Sequence, residues 1–264
     1  MIKKYFTLWA LLAVAFAVIV CLSAFSPVTI GPYELRDSGI ADYLTRSTKE
    51  SDAFEEVLIA TDSIVQNLSP EPAPIDTTAK ILLFIGDSML EGLSPRLAAY
   101  AKHNGHTLYS VIWYSSTSEV WGRSGKLKSY IEKIKPDFVF ICLGANELFV
   151  KDIINKRDKY VKTLISEIGD LPFLWIGPPN WKPDTGINQL IADNTERGEF
   201  FLSDGMHFDR TKDGAHPTRK SAQLWMDSVV RWMPANTPHP FILEVPPMAK
   251  ASAARVFIHQ PNEK

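Results

Sequence analysis

Three short segments of uninterrupted apolar residues constrain this chain more than any other feature. They lie within 80–85 (Lys-Ile-Leu-Leu-Phe-Ile), 137–143 (Asp-Phe-Val-Phe-Ile-Cys-Leu) and 172–177 (Pro-Phe-Leu-Trp-Ile-Gly). Each has the length of a strand and is bounded by turn or polar residues. Continuous apolar character, without polar alternation, predicts strands covered on both faces. Two more strands are predicted at His106–Tyr114 and, less regular, at Glu199–Leu202. Helical patterns fill the intervals. Pro95–Asn104 ends at Gly105, Lys126–Lys135 stops before Pro136, and Asp152–Ile168 is closed by Gly169. Ile187–Glu196 and Pro217–Trp232 complete the series, the latter with Pro217 in its first turn. Strict alternation of this kind predicts an α/β chain: a three-layer α/β/α sandwich around a mainly parallel sheet. In such sheets, ligands sit beyond the carboxyl ends of the strands.

That domain is read over residues 79–233. Ahead of it, residues 1–25 carry Lys3 and Lys4 followed by an uncharged run from Tyr5 to Phe25. As a helix, those 21 residues would span about 31 Å, close to the roughly 30 Å hydrocarbon core of a bilayer. The run exceeds the apolar core of a cleaved signal peptide, and the small-residue site near Ser23-Ala24 fits cleavage imperfectly. An uncleaved N-terminal transmembrane anchor is the preferred expectation. The two lysines would then stay in the cytoplasm and the remaining chain outside it, in a periplasm or at a cell surface. Residues 26–78 read as a linker. It holds a short amphipathic helix at Ser51–Val65, then the stiff stretch Ser69-Pro-Glu-Pro-Ala-Pro-Ile-Asp76. Residues 234–264 contain six prolines and read as an irregular tail.

Charge and cysteine usage remove several function classes. Lys plus Arg total 28 against 30 Asp plus Glu, a net charge of -2. No nucleic-acid partner is expected without a basic excess to neutralise phosphates. The two cysteines, Cys21 and Cys142, fall in the N-terminal apolar run and a predicted buried strand, so no disulfide is expected. No Cys/His ligand spacing occurs, and neither a metal nor a cofactor is expected.

Three segments fall where the predicted sheet would place a site. Gly86-Asp87-Ser88 follows the first apolar strand, Gly144-Ala145-Asn146-Glu147 follows the third strand, and Asp213-Gly-Ala-His216 precedes the last helix. A serine hydroxyl becomes a useful nucleophile when a base takes its proton, and a carboxylate must orient that base. Ser88, His216 and Asp213 can fill those roles. A tetrahedral oxyanion needs fixed donors. The backbone N–H of Ser88, the Asn146 amide and a glycine N–H from the loop after the second strand are candidates. In that loop Gly125 is favoured over Gly122, because it directly precedes a predicted helix. Asp204-Gly-Met-His207 repeats the Asp-x-x-His spacing in the same long loop and is a rival pair. Asp87 and Trp181 are candidate substrate contacts. Trp113 and Trp175 read as core, and Arg123 as a solvated surface residue.

These residues resemble the SGNH/GDSL hydrolases. Gly86-Asp87-Ser88 is similar to the family's nucleophile block, Gly144-Ala145-Asn146 to the block carrying an oxyanion amide, and Asp213 with His216 to its last block. Because Pro217 and Thr218 follow His216 at a helix start, as in that block, the resemblance favours His216 over His207. The resemblance covers about residues 79–233. It departs at Glu147, where many members have Asp, and at the ambiguous glycine block. It implies a flavodoxin-like sheet, a metal-free mechanism and a serine esterase or O-acyltransferase. The expected partner is an acylated carbohydrate or another ester, in the first instance the acetyl groups of an envelope glycan. A membrane-surface lipase or lysophospholipase and a catalytically silent module of an envelope assembly are the competing expectations. No protein partner is specified.

Overall fold

A computed structural model of the chain describes residues 73–246 and 255–261, with the backbone of 28–30 and 33–35. The expected anchor at Tyr5–Phe25 and the expected helix at Ser51–Val65 lie outside those residues. Among the described helices none is long and apolar enough to cross a membrane. The chain divides into two units, Met1–Glu71 and Pro72–Lys264. In the first, strands β1 (Val28–Ile30) and β2 (Tyr33–Leu35) pair antiparallel, with Val28 opposite Leu35.

The second unit is built on six strands: β3 (Ile81–Gly86), β4 (Thr107–Trp113), β5 (Phe138–Cys142), β6 (Phe173–Ile176), β7 (Phe200–Phe201) and β8 (Arg255–His259). They run in the order β7-β6-β5-β3-β4-β8, and every pairing is parallel. The helices are α1 (Leu90–His103), α2 (Ser118–Ser124), α3 (Lys126–Ile134), α4 (Ile153–Ile168), α5 (Ile187–Asn194) and α6 (Arg219–Asn236).

The apolar runs end up between two helical layers. Leu82, Phe84, Phe138, Phe140 and Leu174 point to the face covered by α1 and α6, through Leu93, Leu97, Trp225 and Val229. Leu83, Ile85, Val139, Ile141 and Trp175 point to the other face, where Trp121, Leu127, Val161, Leu164 and Ile191 from α2 to α5 cover them. Alternate residues of one strand therefore serve opposite cores, which is why those strands are apolar throughout. Burying each such Leu, Ile or Phe contributes about 1.5–3 kcal/mol before entropy is counted. Strand order reverses between β3 and β5, the crevice where parallel α/β sheets receive ligands. Gly86 allows that crevice to close tightly. A Cβ there would stand 2.3 Å from the Cys142 carbonyl oxygen, so no larger residue fits.

Three elements differ from the sequence reading. Helix α1 begins at Leu90, with Pro95 inside it; Leu90, Leu93 and Leu97 continue its buried stripe through the proline. The polar stretch read as a loop after β4 contains α2, begun by Thr117, whose hydroxyl accepts from the Val120 N–H. The proline-rich tail is partly ordered. Ile242 N–H donates to the Asp76 carbonyl at 2.8 Å, and His106 Nε2 bonds the Ile242 carbonyl. The tail then supplies β8, in which Phe257 and His259 pack on Tyr130.

Candidate active site

Ser88 sits on the first turn beyond β3, where the chain bends into α1. The Leu90 N–H donates to the Asp87 carbonyl and the Glu91 N–H to the Ser88 carbonyl. The serine is half-buried at the N-terminal end of that helix, a favourable place for developing negative charge. His216 Nε2 lies 2.8 Å from Ser88 Oγ, and His216 Nδ1 lies 2.8 Å from Asp213 Oδ2. A carboxylate only accepts, so Nδ1 carries the proton and donates it to Asp213. Nε2 is then the acceptor for the Ser88 hydroxyl. Residues 128 positions apart are thus in direct contact.

Local turn chemistry orients this pair. Asp213 Oδ1 accepts from the N–H groups of Ala215 (2.8 Å) and His216 (3.0 Å) and from the Thr211 hydroxyl (2.9 Å). Gly214 follows with φ 72°, a left-handed conformation that folds the chain back and suits glycine. The backbone N–H groups of His216 and Ala215, then the imidazole and Thr211, hold the Asp213 carboxyl well below the usual carboxylate range. It remains ionised and ready to stabilise an imidazolium.

Arg210 fixes the turn to the rest of the domain. Its half-buried guanidinium donates to the carbonyls of Pro179 (3.2 Å), Asn180 (3.1 Å) and Ala215. The loop carrying His216 is thereby clamped to the loop after β6. The sequence reading did not single out Arg210, because its acceptors are main-chain carbonyls that leave no residue pattern.

The oxyanion candidates are placed unevenly. The Ser88 N–H has no hydrogen-bond partner among the described residues. Asn146 Nδ2 donates to the Ser116 carbonyl (2.9 Å) and to Asp87 Oδ2 (3.2 Å), so its amide joins the ends of β3, β4 and β5. Gly125 lies at the junction of α2 and α3 with φ 63°, and Gly122 packs on Tyr160 of α4; neither bonds this cluster. The part of the β4 loop that reaches Asn146 is Ser116, with Ser115 before it. Ser115 holds φ 55°, and its N–H is without a hydrogen-bond partner among the described residues. A serine in the conformation that normally advertises glycine hid this position from the sequence reading.

Asp87, expected as a substrate contact, is fully buried. Its carboxylate accepts from the Met89 N–H (2.9 Å) and from Asn146, so it braces the site from within. Burial raises its pKa to about 7 against the pull of the Met89 N–H. Glu147 is also buried, and Ser118 donates both its N–H and its hydroxyl to it, with Arg157 3.4 Å away. It ties the loop of Asn146 to the start of α2. Trp181 is half-buried, and its Nε1 donates to the Ala145 carbonyl at 3.2 Å, beside Asn146. His207 is exposed and bonds the Gly205 carbonyl, and Asp204 receives Asn180, so neither member of the rival pair bonds Ser88. Trp113 and Trp175 are buried in the core, and Arg123 is exposed beside Tyr160 and Glu119.

The arrangement can withdraw a proton from Ser88 and offer donors to an adjacent oxyanion. No protein family and no curated protein matches the chain. Solved structures do align with it. One is the psychrotrophic esterase EstA from Pseudoalteromonas sp., at 19% identity over 57% of this chain and 94% of that one, with a TM-score of 0.44. Another is a two-domain esterase active on acetylated mannans, at 13% identity over 59% of this chain and 48% of that one, TM-score 0.46. A third is a protein described as lipolytic and of the G-D-S-L family, from Desulfitobacterium hafniense DCB-2, at 13% identity over 57% of this chain and 98% of that one, TM-score 0.40.

Proposed function

We propose that this protein is a serine esterase or O-acyltransferase acting through a covalent acyl-Ser88 intermediate. The observation that carries the reading is the continuous relay Asp213–His216–Ser88, with both contacts at 2.8 Å. His216 Nε2 takes the hydroxyl proton as Ser88 Oγ attacks the ester carbonyl. The N–H groups of Ser88 and Ser115 and the Asn146 amide receive the oxyanion, in place of the expected Gly125. Asn146 would loosen its longer bond, to Asp87, to do so. The imidazolium then returns the proton to the departing alcohol. Water, or a sugar hydroxyl, releases the acyl group with the same base.

The substrate we favour is an acylated, in the first instance acetylated, glycan of a cell envelope. Its support is the N-terminal run after Lys3 and Lys4, which would tether the catalytic unit outside the cytoplasm. The half-exposed imidazole also leaves the dyad open to a polymer.

Labelling with a fluorophosphonate, which traps activated serines, tests the mechanism. Wild type should label, and Ser88→Ala and His216→Ala should not. His207→Ala should keep a measurable fraction. A folded wild type that does not label would favour a silent module. Faster turnover of long-chain than acetyl nitrophenyl esters would favour a lipase.

A further inference from the structure

Phe149, Trp181 and Lys182 form a cluster on the rim of this site that the catalytic relay does not use. Phe149 is 57% exposed, an unusual position for a large apolar side chain three residues beyond Asn146. Its ring meets Trp181 edge to face, with centroids 5.3 Å apart at 68°. Lys182 Nζ lies 4.3 Å from the Phe149 centroid and 4.9 Å from that of Trp181. Among the described residues no carboxylate pairs with this ammonium.

The cluster is built into the site on two sides. The Trp181 indole donates to the carbonyl of Ala145, next to Asn146. The preceding residues, Pro179 and Asn180, accept from Arg210, which also holds the His216 turn. A group seated on these rings would therefore lie between the loop carrying the amide and the loop carrying the base.

Paired aromatic rings offer apolar surface to the C–H face of a pyranose. An ammonium held over them, and free of a carboxylate, offers a charge for an anion. From this geometry we infer that Phe149, Trp181 and Lys182 form a sugar subsite selecting glycans whose acylated unit neighbours an anionic hexose, a carboxylate- or phosphate-bearing one. The inference rests on the esterase reading and deepens it from an ester to an acidic sugar ester.

The test compares three O-acetylated oligosaccharides of equal length: one of hexuronates, one of phosphorylated hexoses and one neutral. Each kcat/KM on the full-length chain is divided by the same variant's kcat/KM on 4-nitrophenyl acetate. Wild type should prefer at least one acidic series to the neutral one by about 10-fold, and the preference should shrink as salt is raised. Which acidic series is preferred identifies carboxylate or phosphate as the group recognised. Lys182→Gln should bring acidic and neutral ratios within about 2-fold, and Lys182→Arg should restore the preference. Phe149→Ala should lower the ratio for every oligosaccharide by about 5- to 10-fold. Equal ratios for acidic and neutral substrates in wild type, or a preference that survives Lys182→Gln, would overturn the subsite. A wild type that leaves 4-nitrophenyl acetate intact would instead overturn the esterase reading.

Discussion

Asp87 Oδ2 accepts a hydrogen bond from Asn146 Nδ2 at 3.2 Å, so a fully buried carboxylate stands behind the amide we propose as an oxyanion donor. Burial raises the Asp87 pKa from 3.8 to about 7. The folded state therefore binds this proton more tightly than the unfolded chain does. Stability should fall as pH rises between about 4 and 7. Asp87→Asn should flatten that slope. Urea midpoints at pH 5 and pH 8 measure it, and equal slopes in the two proteins would refute the assignment.

Asp213 titrates in the opposite sense. Its carboxyl is held well below its ordinary value by the N–H groups of His216 and Ala215 and by the imidazole. What it contributes is present above about pH 4 and is lost only in stronger acid, as the folded-state pKa is passed. Protonation of Asp213 should therefore add no limb to the kcat/KM profile at mildly acidic pH. Asp213→Asn should lower kcat by about 10²- to 10⁴-fold while leaving the fold intact by circular dichroism. An acid limb that disappears in Asp213→Asn would contradict this.

Arg210 makes a separate prediction, because it touches three carbonyls and no reacting atom. Lys cannot reproduce its planar fork. Arg210→Lys should reduce kcat by about 10-fold with little change in KM, as the His216 turn loses its fixed position. Arg210→Met should be worse and should also lower the urea midpoint. An effect confined to stability would leave Arg210 a scaffold residue alone.

Ser115 occupies φ 55°, a conformation that costs a side-chain-bearing residue about 1 kcal/mol. Ser115→Gly should raise stability by about that amount. Ser115→Val, β-branched at the same angle, should lower it and reduce kcat by displacing the loop N–H. Equilibrium unfolding of the pair decides the matter, and a stabilised Val variant would show that the angle is not strained.

What could be read from the sequence follows from how local each signal is. The apolar runs at 81–85, 138–143 and 173–176 announced buried parallel strands, because burial on both faces leaves no other composition. Asp213 and His216 were legible because one short turn sets their spacing, and Ser88 and Asn146 because strand ends place them. Asp87 was misread. A polar residue beside a nucleophile looks exposed, and its burial depends on how closely Gly86 lets β3 approach β5. Ser115, the loop donor we propose, carried no sequence signal, because its backbone and not its identity would prepare it. Strand β8 was missed because surrounding prolines concealed five residues whose pairing is dictated by the remote edge of β4.

That last strand also has a temporal meaning. β8 follows every other described strand, yet it covers the edge of β4, which is made near the start of the unit. During synthesis on a ribosome, β4 would wait with its outer hydrogen-bonding groups bare while α3, β5 and the rest emerge. A bare edge is a template for pairing with a neighbouring nascent chain. Expression of forms ending before Arg255 should on this account yield aggregates.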